Sequence, residues 1–314
     1  MSLVLERLRQ TARERQSCVV FPETSDERVL QAAQLFADQE LGTALLLNPP
    51  ETFEPRPGLR AVRQEDVLEE CATRLVELRK HRGMTVEQAR EELRNPLLVA
   101  ALLVRLGHAA AAVAGSVAST TDVLRAALRG IGVAEEGGLV SSFFLMQLAE
   151  EVVTYADCGV VPDPDAGQLA EIAIAAADNH QRLTGESPQV AMLSFSTLGS
   201  AEHPSSEKVR QATARVRERR PDLAVDGELQ FDAAFVPEVA HRKAPESSVA
   251  GHANVLVFPN LDAGNIAYKI TERLAGAQAL GPLVQGLAHP MMDLSRGCKV
   301  SDIVNVAVIA ANLA

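Results

Sequence analysis

Short apolar segments alternate with longer amphipathic ones along most of this 314-residue chain, and this alternation restricts the fold more than any other feature. Segments 18–21, 44–47 and 109–114 are short apolar runs of the kind found in buried strands. The segments between them have the spacing of apolar residues that is typical of helices. Because parallel strands need a crossover connection, usually a helix, the pattern predicts an α/β fold with mostly parallel sheets covered by helices.

The predicted elements suggest two such units at this chain length. Strands are predicted at residues 18–21, 44–47, 109–114, 139–145, 152–154, 189–194 and 255–258. Helices are predicted at residues 2–15, 25–38, 65–80, 85–104, 119–129, 165–181, 205–219, 264–275 and 303–313. We expect Asn95-Pro96 to interrupt the fourth helix, Ser301 to cap the last one, and residues 131–138 to link the two units. Ligands of such folds bind beyond the carboxyl ends of the strands, often between domains.

The charge balance argues against a polyanionic macromolecule as partner. The chain has 30 Lys and Arg against 41 Asp and Glu, a formal net charge of −11. Such a chain repels nucleic acid and anionic membrane surfaces unless its cations are gathered locally. Aromatic residues make up only 4%, without Trp, so platforms for stacking bases are not expected. If the ligand is an anion, a few arginines must bind it.

Cysteine and histidine placement indicates neither a metal site nor disulfides. Cys18, Cys71, Cys158 and Cys298 are widely spaced, and the seven His form no HExxH pattern. This use of cysteine suits the reducing cytoplasm. The N-terminal residues become charged too early for a signal peptide, and the most apolar stretch, 97–104, is too short to span a bilayer. We therefore expect a cytoplasmic protein without a membrane partner.

Four polar segments combine residues that can bind anions. They are 79–83, 115–122, 193–200 and 293–302. Segment 293–302 places a hydroxyl, two cations, a thiol and two carboxylates before the last helix, whose free N–H groups favour an anion. Segment 115–122 joins an apolar strand to a helix through small and hydroxyl residues, which suits a phosphate. Each segment also has an ordinary structural interpretation, as a capped turn or a polar loop.

Taken together, these segments resemble the phosphate acetyltransferase (phosphotransacetylase) family, in family order over nearly the whole chain. The matching segments are FPETSDER (21–28), LRKHRGMT (78–85), GSVASTTD (115–122), LSFSTLGS (193–200), DGELQFDAA (226–234), FPNLDAGNI (258–266) and Pro290–Asn305. The closing stretch is the most specific of them.

The resemblance implies reversible acetyl transfer between CoA and inorganic phosphate. It also implies two α/β domains like those of isocitrate dehydrogenase, with the second inserted into the first and the active site in the cleft between them. The predicted domains are residues 1–135 plus 283–314 and residues 136–282. The family implies a homodimer that needs neither a metal nor an organic prosthetic group, with CoA, acetyl phosphate and phosphate as substrates.

The family's functional residues correspond to particular positions here. Asp302 resembles the base that deprotonates the CoA thiol, and Arg296 the cation that offsets developing negative charge. Ser295 resembles the hydroxyl that orients the reacting group without being acylated. The family's arginines for CoA or phosphate correspond to Arg28, Arg79, Arg125 and Arg273.

Four positions depart from the family pattern and leave alternatives open. The family often has His, Lys, Asp and Asn where this chain has Ala118, Leu198, Asn260 and Met292. A larger acyl group is one alternative, as in phosphate butyryltransferase. A catalytically weakened acyl-CoA-binding protein is a second, and an NAD(P)-dependent decarboxylating dehydrogenase, suggested by fold analogy alone, is a third.

Overall fold

A computed structural model describes residues 3–135, 137–149 and 151–314. The chain divides into two compact units: unit 1 comprises Met1–Glu136 and Leu287–Ala314, and unit 2 comprises Gly137–Gly286. The inserted domain predicted from the sequence is residues 136–282. Ser2 of the first predicted helix and Glu136 of the predicted linker lie outside the described residues.

The described elements alternate along the chain as the apolar pattern predicts. The strands are β1 (Cys18–Phe21), β2 (Thr43–Leu47), β3 (Leu59–Val62), β4 (Ala111–Ala114), β5 (Ser141–Gln147), β6 (Val152–Ala156), β7 (Gln189–Leu193), β8 (Ala224–Leu229), β9 (Val255–Val257), β10 (Gln278–Gln285) and β11 (Met291–Asp293). The α-helices are α1 (Leu3–Arg15), α2 (Glu27–Asp38), α3 (Gln64–Leu78), α4 (Val86–Glu92), α5 (Pro96–Arg105), α6 (Thr120–Gly130), α7 (Ala166–Thr184), α8 (Pro204–Arg219), α9 (Phe231–Phe235), α10 (Pro237–Lys243), α11 (Leu261–Leu274) and α12 (Val300–Leu313). None of the helices within the described ranges is long and apolar enough to cross a membrane.

Unit 1 contains a parallel sheet with the strand order β11-β4-β1-β2-β3. All four pairings are parallel, and Asp293 at the end of β11 pairs with Ala114 at the end of β4. The carboxyl ends of β11, β4 and β1 therefore lie side by side at one edge. This edge is where α/β sheets bind their ligands.

Helices pack against both faces of this sheet, because successive strand residues point to opposite faces. Val20, Ala112 and Met291 belong to one core cluster with the apolar helix α5. Helix α12 packs against β1, β4 and β11, and its residues from Ile303 to Leu313 are buried. Helix α12 thus returns the end of the chain to the unit that contains its beginning.

Unit 2 contains a mixed sheet with the order β10-β5-β6-β9-β7-β8. Strands β6, β9, β7 and β8 are parallel to one another, whereas β5 is antiparallel to both of its neighbours. Its core includes Phe144, Tyr155 and Leu256. Both units are α/β with mostly parallel sheets, as the sequence predicts.

Two local predictions of helix ends have different outcomes. The break at Asn95-Pro96 is confirmed, because α5 begins at Pro96 and the Asn95 side chain accepts a hydrogen bond from Leu97 N at 3.0 Å. The cap at Ser301 is wrong. Helix α12 begins at Val300 with Lys299 as its N-cap, two residues before Ser301, and the side chain of Asp302 accepts a hydrogen bond from Lys299 N at 2.9 Å. The carboxylate of Asp302, in the first turn, accepts from the N–H of the cap residue, as the acidic residue of a capping box does.

Candidate functional site

Three loops meet at the carboxyl edge of the unit 1 sheet. They follow β1 (residues 22–26), β4 (residues 115–119) and β11 (residues 294–299). Because these strands are neighbours and parallel, residues distant in sequence come together here. Two of the predicted site residues, Ser295 and Arg296, lie in these loops, and Arg28 and Asp302 lie in the helices that follow them.

Glu23 joins the first loop to the second. Its side chain is buried, and its two carboxylate oxygens accept five hydrogen bonds. Gly115 N, Ser116 N and Ser116 Oγ donate to Oε2 at 2.7, 2.8 and 3.0 Å. Val117 N and Ala118 N donate to Oε1 at 3.2 and 2.7 Å. Successive N–H groups that converge in this way form an anion-binding nest, and here a carboxylate of the protein occupies it.

Arg28 connects all three loops through its guanidinium group. Nε and Nη2 donate to the two carboxylate oxygens of Asp26 at 3.1 and 2.7 Å. Nη2 also donates to Ser116 O at 3.0 Å, and Nη1 donates to Arg296 O at 3.0 Å and Cys298 O at 2.7 Å. A guanidinium has five N–H groups, and here five protein oxygens accept from them. A substrate phosphate would have to replace one of these bonds to contact Arg28.

Asp293 ends β11 and lies under the same loops. Its side chain is 2% exposed, and Thr120 Oγ1 donates to Oδ2 at 2.6 Å. The other oxygen, Oδ1, is buried without a hydrogen-bond partner among the described residues. Burial raises the pKa of Asp293 to about 6, and the nearby charge of Glu23 adds to this rise. The carboxyl group is therefore partly protonated near neutral pH.

Ser295 and Arg296 follow directly and are exposed. Ser295 Oγ accepts a hydrogen bond from Gly297 N at 3.3 Å, and the backbone of Arg296 is held by Arg28. No hydrogen bond or ion pair engages the guanidinium of Arg296 within the described ranges. Asp302 lies seven residues beyond Ser295, in the first turn of α12, and is exposed. Ser295 and Arg296 thus lie on one loop, and Asp302 lies in the first turn of the helix that follows it.

Cys298, in the same loop, is buried. Burial raises the pKa of its thiol. Because the thiolate is the reactive form, this environment does not favour cysteine chemistry.

A cavity of about 210 Å³ lies beside α6 and contains a second group of cations. Arg125 and Arg129 line it, together with Glu92, Asn95 and Asp122. Arg125 Nη1 donates to Asp122 at 2.9 Å, and Arg129 is paired with Glu92. Burial lowers the pKa of Arg79, and the charges of Arg129 and Arg82 lower it further. Arg125 and Arg129 line this cavity, and Arg79 lies within range of the charge of Arg129.

Arg273 belongs to unit 2, near the end of α11. Its side chain is 80% exposed and lies 3.4 Å from Glu272. Asn260, one of the departures from the family pattern, caps the same helix by accepting from Ala263 N at 3.0 Å. Two further departures lie in unit 1: Met292 is buried in β11, and Ala118 is half-buried and donates its backbone N–H to Glu23.

In loop 115–122, the groups that were expected to bind a phosphate bind other parts of the protein. Its first four N–H groups bind Glu23, and Ser119 caps α6 by accepting from Asp122 N at 3.2 Å. The structural interpretation, a capped turn between strand and helix, therefore describes this loop.

Sequence reasoning missed roles for Glu23, Thr120, Asp293 and Arg129. Glu23 closely follows the strand predicted at residues 18–21, and this position was a usable signal for the carboxyl edge of a sheet, whereas the strand that ends at Asp293 is not predicted. For a metal ion, no group of three or more His, Cys, Asp and Glu residues lies close enough together in the described part of the chain.

Comparison with known proteins gives one consistent result. The family model described as phosphate acetyl/butaryl transferase matches residues 3–311. A phosphate acetyltransferase of Acetivibrio thermocellus is 48% identical over 321 residues, covering 98% of this chain and 97% of that protein. One from Paracoccus denitrificans is 47% identical over 313 residues, covering 98% of both chains. The crystal structure of a phosphotransacetylase from Streptococcus pyogenes matches with a TM-score of 0.92 and 40% identity, over 99% of this chain and 98% of that one.

Proposed function

The chain belongs to the phosphate acetyl/butaryl transferase family, and from this premise we propose that it transfers an acetyl group reversibly between CoA and inorganic phosphate. The observation that carries the proposal is full-length similarity to phosphate acetyltransferases. The same similarity argues against the butyryl alternative, because these relatives are named for acetyl transfer. The chain is accordingly an acyltransferase.

The proposed reaction begins with the CoA thiol. A free thiol has a pKa of about 8.5, so a neighbouring base increases the reactive thiolate fraction at neutral pH. We assign this role to Asp302, whose carboxylate is exposed in the first turn of α12. The thiolate attacks the carbonyl carbon of acetyl phosphate, the new C–S bond forms, and the C–O bond to phosphate breaks. The thiol proton goes to Asp302, and phosphate leaves with the electron pair of the broken bond.

Arg296 and Ser295 are proposed to stabilise and orient the reacting group. The guanidinium of Arg296 can offset negative charge on the carbonyl oxygen or the departing phosphate, since it has no competing carboxylate among the described ion pairs. The hydroxyl of Ser295 can donate to the same group. Placing both substrates correctly supplies much of the acceleration in such a direct transfer.

The phosphates of CoA are proposed to bind the arginines. Arg125 suits this role because it lines the cavity beside α6, and Arg79 suits it because it lies near Arg129 of the same cavity. Arg273 is exposed and available in unit 2. Arg28 is kept as a predicted substrate contact, although its five protein hydrogen bonds favour a role in holding the loops.

Three further properties rest on the family resemblance. We propose that the enzyme is a homodimer, that it acts in the cytoplasm, and that it needs neither a metal nor an organic prosthetic group. Size-exclusion chromatography with light scattering tests the first. Full activity after dialysis against a chelator tests the absence of a metal requirement.

The decisive experiment is formation of the CoA thioester by the purified chain from acetyl phosphate and CoA. Butyryl phosphate is assayed in parallel under the same conditions. Fast turnover with acetyl phosphate and slow turnover with butyryl phosphate are expected. A preference for butyryl phosphate would show that the chain transfers butyryl rather than acetyl groups. No turnover with either substrate in folded protein would favour an acyl-CoA-binding role instead.

A further inference from the structure

The carboxylate of Glu23 occupies a backbone nest that would otherwise attract an anion from solution. We propose that Glu23 is a positioning residue. It fixes the loop after β4 and, because Arg28 bonds to that loop, also fixes the segment that contains Ser295 and Arg296. The effect on catalysis rests on the proposed acetyl transfer. The effect on the loop rests on the hydrogen bonds alone.

First, Glu23 holds the loop after β4 through several hydrogen bonds. Four consecutive N–H groups and one hydroxyl converge on its two oxygens, between 2.7 and 3.2 Å. Hydrogen bonds to a charged acceptor are stronger than neutral ones. Gly115 N and Ser116 N are also buried with it, so removing the acceptor would leave buried donors without a partner.

The second step is the connection from this loop to the reacting residues. Arg28 follows Glu23 closely in the chain and donates to Ser116 O in the same nest loop. Its Nη1 donates to both Arg296 O and Cys298 O. The backbone of the Ser295–Cys298 segment is therefore attached to a loop whose conformation Glu23 determines.

The third step concerns the substrate. An empty nest at this edge would bind a phosphate group, because such nests and helix N-termini are ordinary phosphate sites. A phosphate bound there would occupy the loop after β4 instead of the surroundings of Arg296. By filling the nest, Glu23 keeps this position closed to acetyl phosphate and inorganic phosphate.

The test is Glu23→Ala with formate as the probe. Misplacing a reacting group by about 1 Å can lower the rate about 10²-fold, so we expect kcat to fall by that order with a smaller change in KM for CoA. Formate is a small carboxylate that fits the vacated nest. It should restore kcat with saturation, and it should raise the melting temperature of this variant but not that of the native chain. Sodium chloride at the same ionic strength should do neither.

Two further variants complete the design. Glu23→Gln keeps the shape of the side chain, so it should retain more activity than Glu23→Ala and gain nothing from formate. Glu27→Ala removes an exposed acid from the first turn of α2 and serves as the matched control, with kcat near that of the native chain and no response to formate.

The outcomes separate this inference from the proposed function. If the native chain makes no thioester, the proposed function fails, and formate stabilisation of Glu23→Ala still tests the occupied nest. If the native chain is active and Glu23→Ala keeps its kcat, the positioning role is wrong. A folded Glu23→Ala protein that loses activity but responds to formate in neither assay would also overturn it.

Discussion

Glu23 and Asp293 are two buried carboxyl groups under the same loops, and their surroundings differ sharply. Glu23 accepts five hydrogen bonds, whereas Asp293 accepts one from Thr120 and has a buried oxygen without a partner in the described part of the chain. Burial with few donors favours the neutral form of a carboxyl group. The pKa of about 6 for Asp293 follows from this burial.

Asp293 should make the stability of the native chain depend on pH. An unfolded Asp has a pKa of about 3.9, so the folded state binds the proton more tightly, and the free energy of unfolding falls as pH rises from about 4 through about 6. Asp293→Asn cannot lose a proton. Its stability relative to the native chain should therefore rise by about 2 kcal/mol over this range, measured by urea unfolding at several pH values.

Thr120→Val provides the matched test of the same group. The hydroxyl of Thr120 lowers the pKa of Asp293 by donating to it, so its removal should raise that pKa and move the pH transition upward. An unchanged difference between Asp293→Asn and the native chain across this pH range would contradict the assignment.

Arg296→Ala tests the proposed stabilisation of charge. Loss of one such preorganised donor commonly lowers kcat by about 10²- to 10³-fold, and we expect a loss in that range. The melting temperature should change little, because the guanidinium is exposed. Arg94→Ala removes an exposed arginine that follows α4 and pairs with Glu91, and it should leave kcat unchanged. Equal kcat in both variants would exclude Arg296 from the reaction.

At the scale of the elements, the ends of β4 and β11 approach too closely for any side chain between them. Gly115 follows β4 with φ +105, and a Cβ there would overlap Asp293 Oδ1 and lie 2.6 Å from Leu294 N. Gly115→Ala must therefore push apart the loop after β4 and the loop after β11. We expect a loss of several kcal/mol in stability and a marked loss of activity.

Gly107→Ala separates steric overlap from backbone strain. Gly107 also has a positive φ, +82, but a Cβ there meets nothing within 4 Å. This variant should lose only about 1–2 kcal/mol, the ordinary cost of a left-handed conformation for alanine, and keep its activity. Similar losses of stability in the two variants, measured by urea unfolding, would show that the close approach of β4 and β11 is unimportant.

The unit 2 sheet repeats this use of a buried glutamate at a strand end. Glu228, in β8, is fully buried and accepts from Ser196 Oγ at 2.8 Å and Gly199 N at 2.9 Å in the turn after β7. Arg210 of α8 donates to the same oxygen at 3.1 Å. In each unit, therefore, a polar turn that follows an apolar strand is fixed by a carboxylate from a neighbouring strand or its loop.

At the scale of the whole molecule, one buried group in each unit should respond to acid in opposite directions: His180 in unit 2 and Asp293 in unit 1. Burial lowers the pKa of His180 in unit 2 to about 4, so its neutral form is favoured in the folded state. An unfolded His has a pKa of about 6.5, and the free energy of unfolding therefore falls as pH drops from about 6.5 towards 4. Asp293 has the opposite effect in unit 1 over much of this range.

His180→Gln removes this contribution while the amide can still contact Thr154, whose Oγ1 lies 2.9 Å from His180 Nδ1. The variant should lose less stability than the native chain on going from pH 7 to pH 5. Hydrogen exchange of α7 peptides, compared between the two proteins at each pH, measures this locally. If α7 shows the same protection ratio at both pH values, His180 is not the acid-sensitive group.

The sequence predicts most elements of the fold, because the spacing of apolar residues reports which side of a local segment is buried. The missed strands have specific reasons. Strand β11 has only three residues and β3 has two exposed ones. Strand β8 contains Asp226, Gly227 and Glu228 within its run, and β10 contains Gly281 and Pro282. Short, edge or acidic strands lack the apolar run from which a strand is inferred.

The sequence by itself determined the α/β class, the order of elements and the polar segments at their ends, since these depend on neighbours along the chain. The family resemblance added the reaction and the three residues Ser295, Arg296 and Asp302. Only the tertiary structure decided what those segments contact. Arg28 lies 268 residues from Arg296, and Glu23 lies 92 residues from Gly115. The parallel order of β11, β4 and β1 brings them together, and the need to satisfy buried donors gives Glu23, not a ligand, the nest after β4.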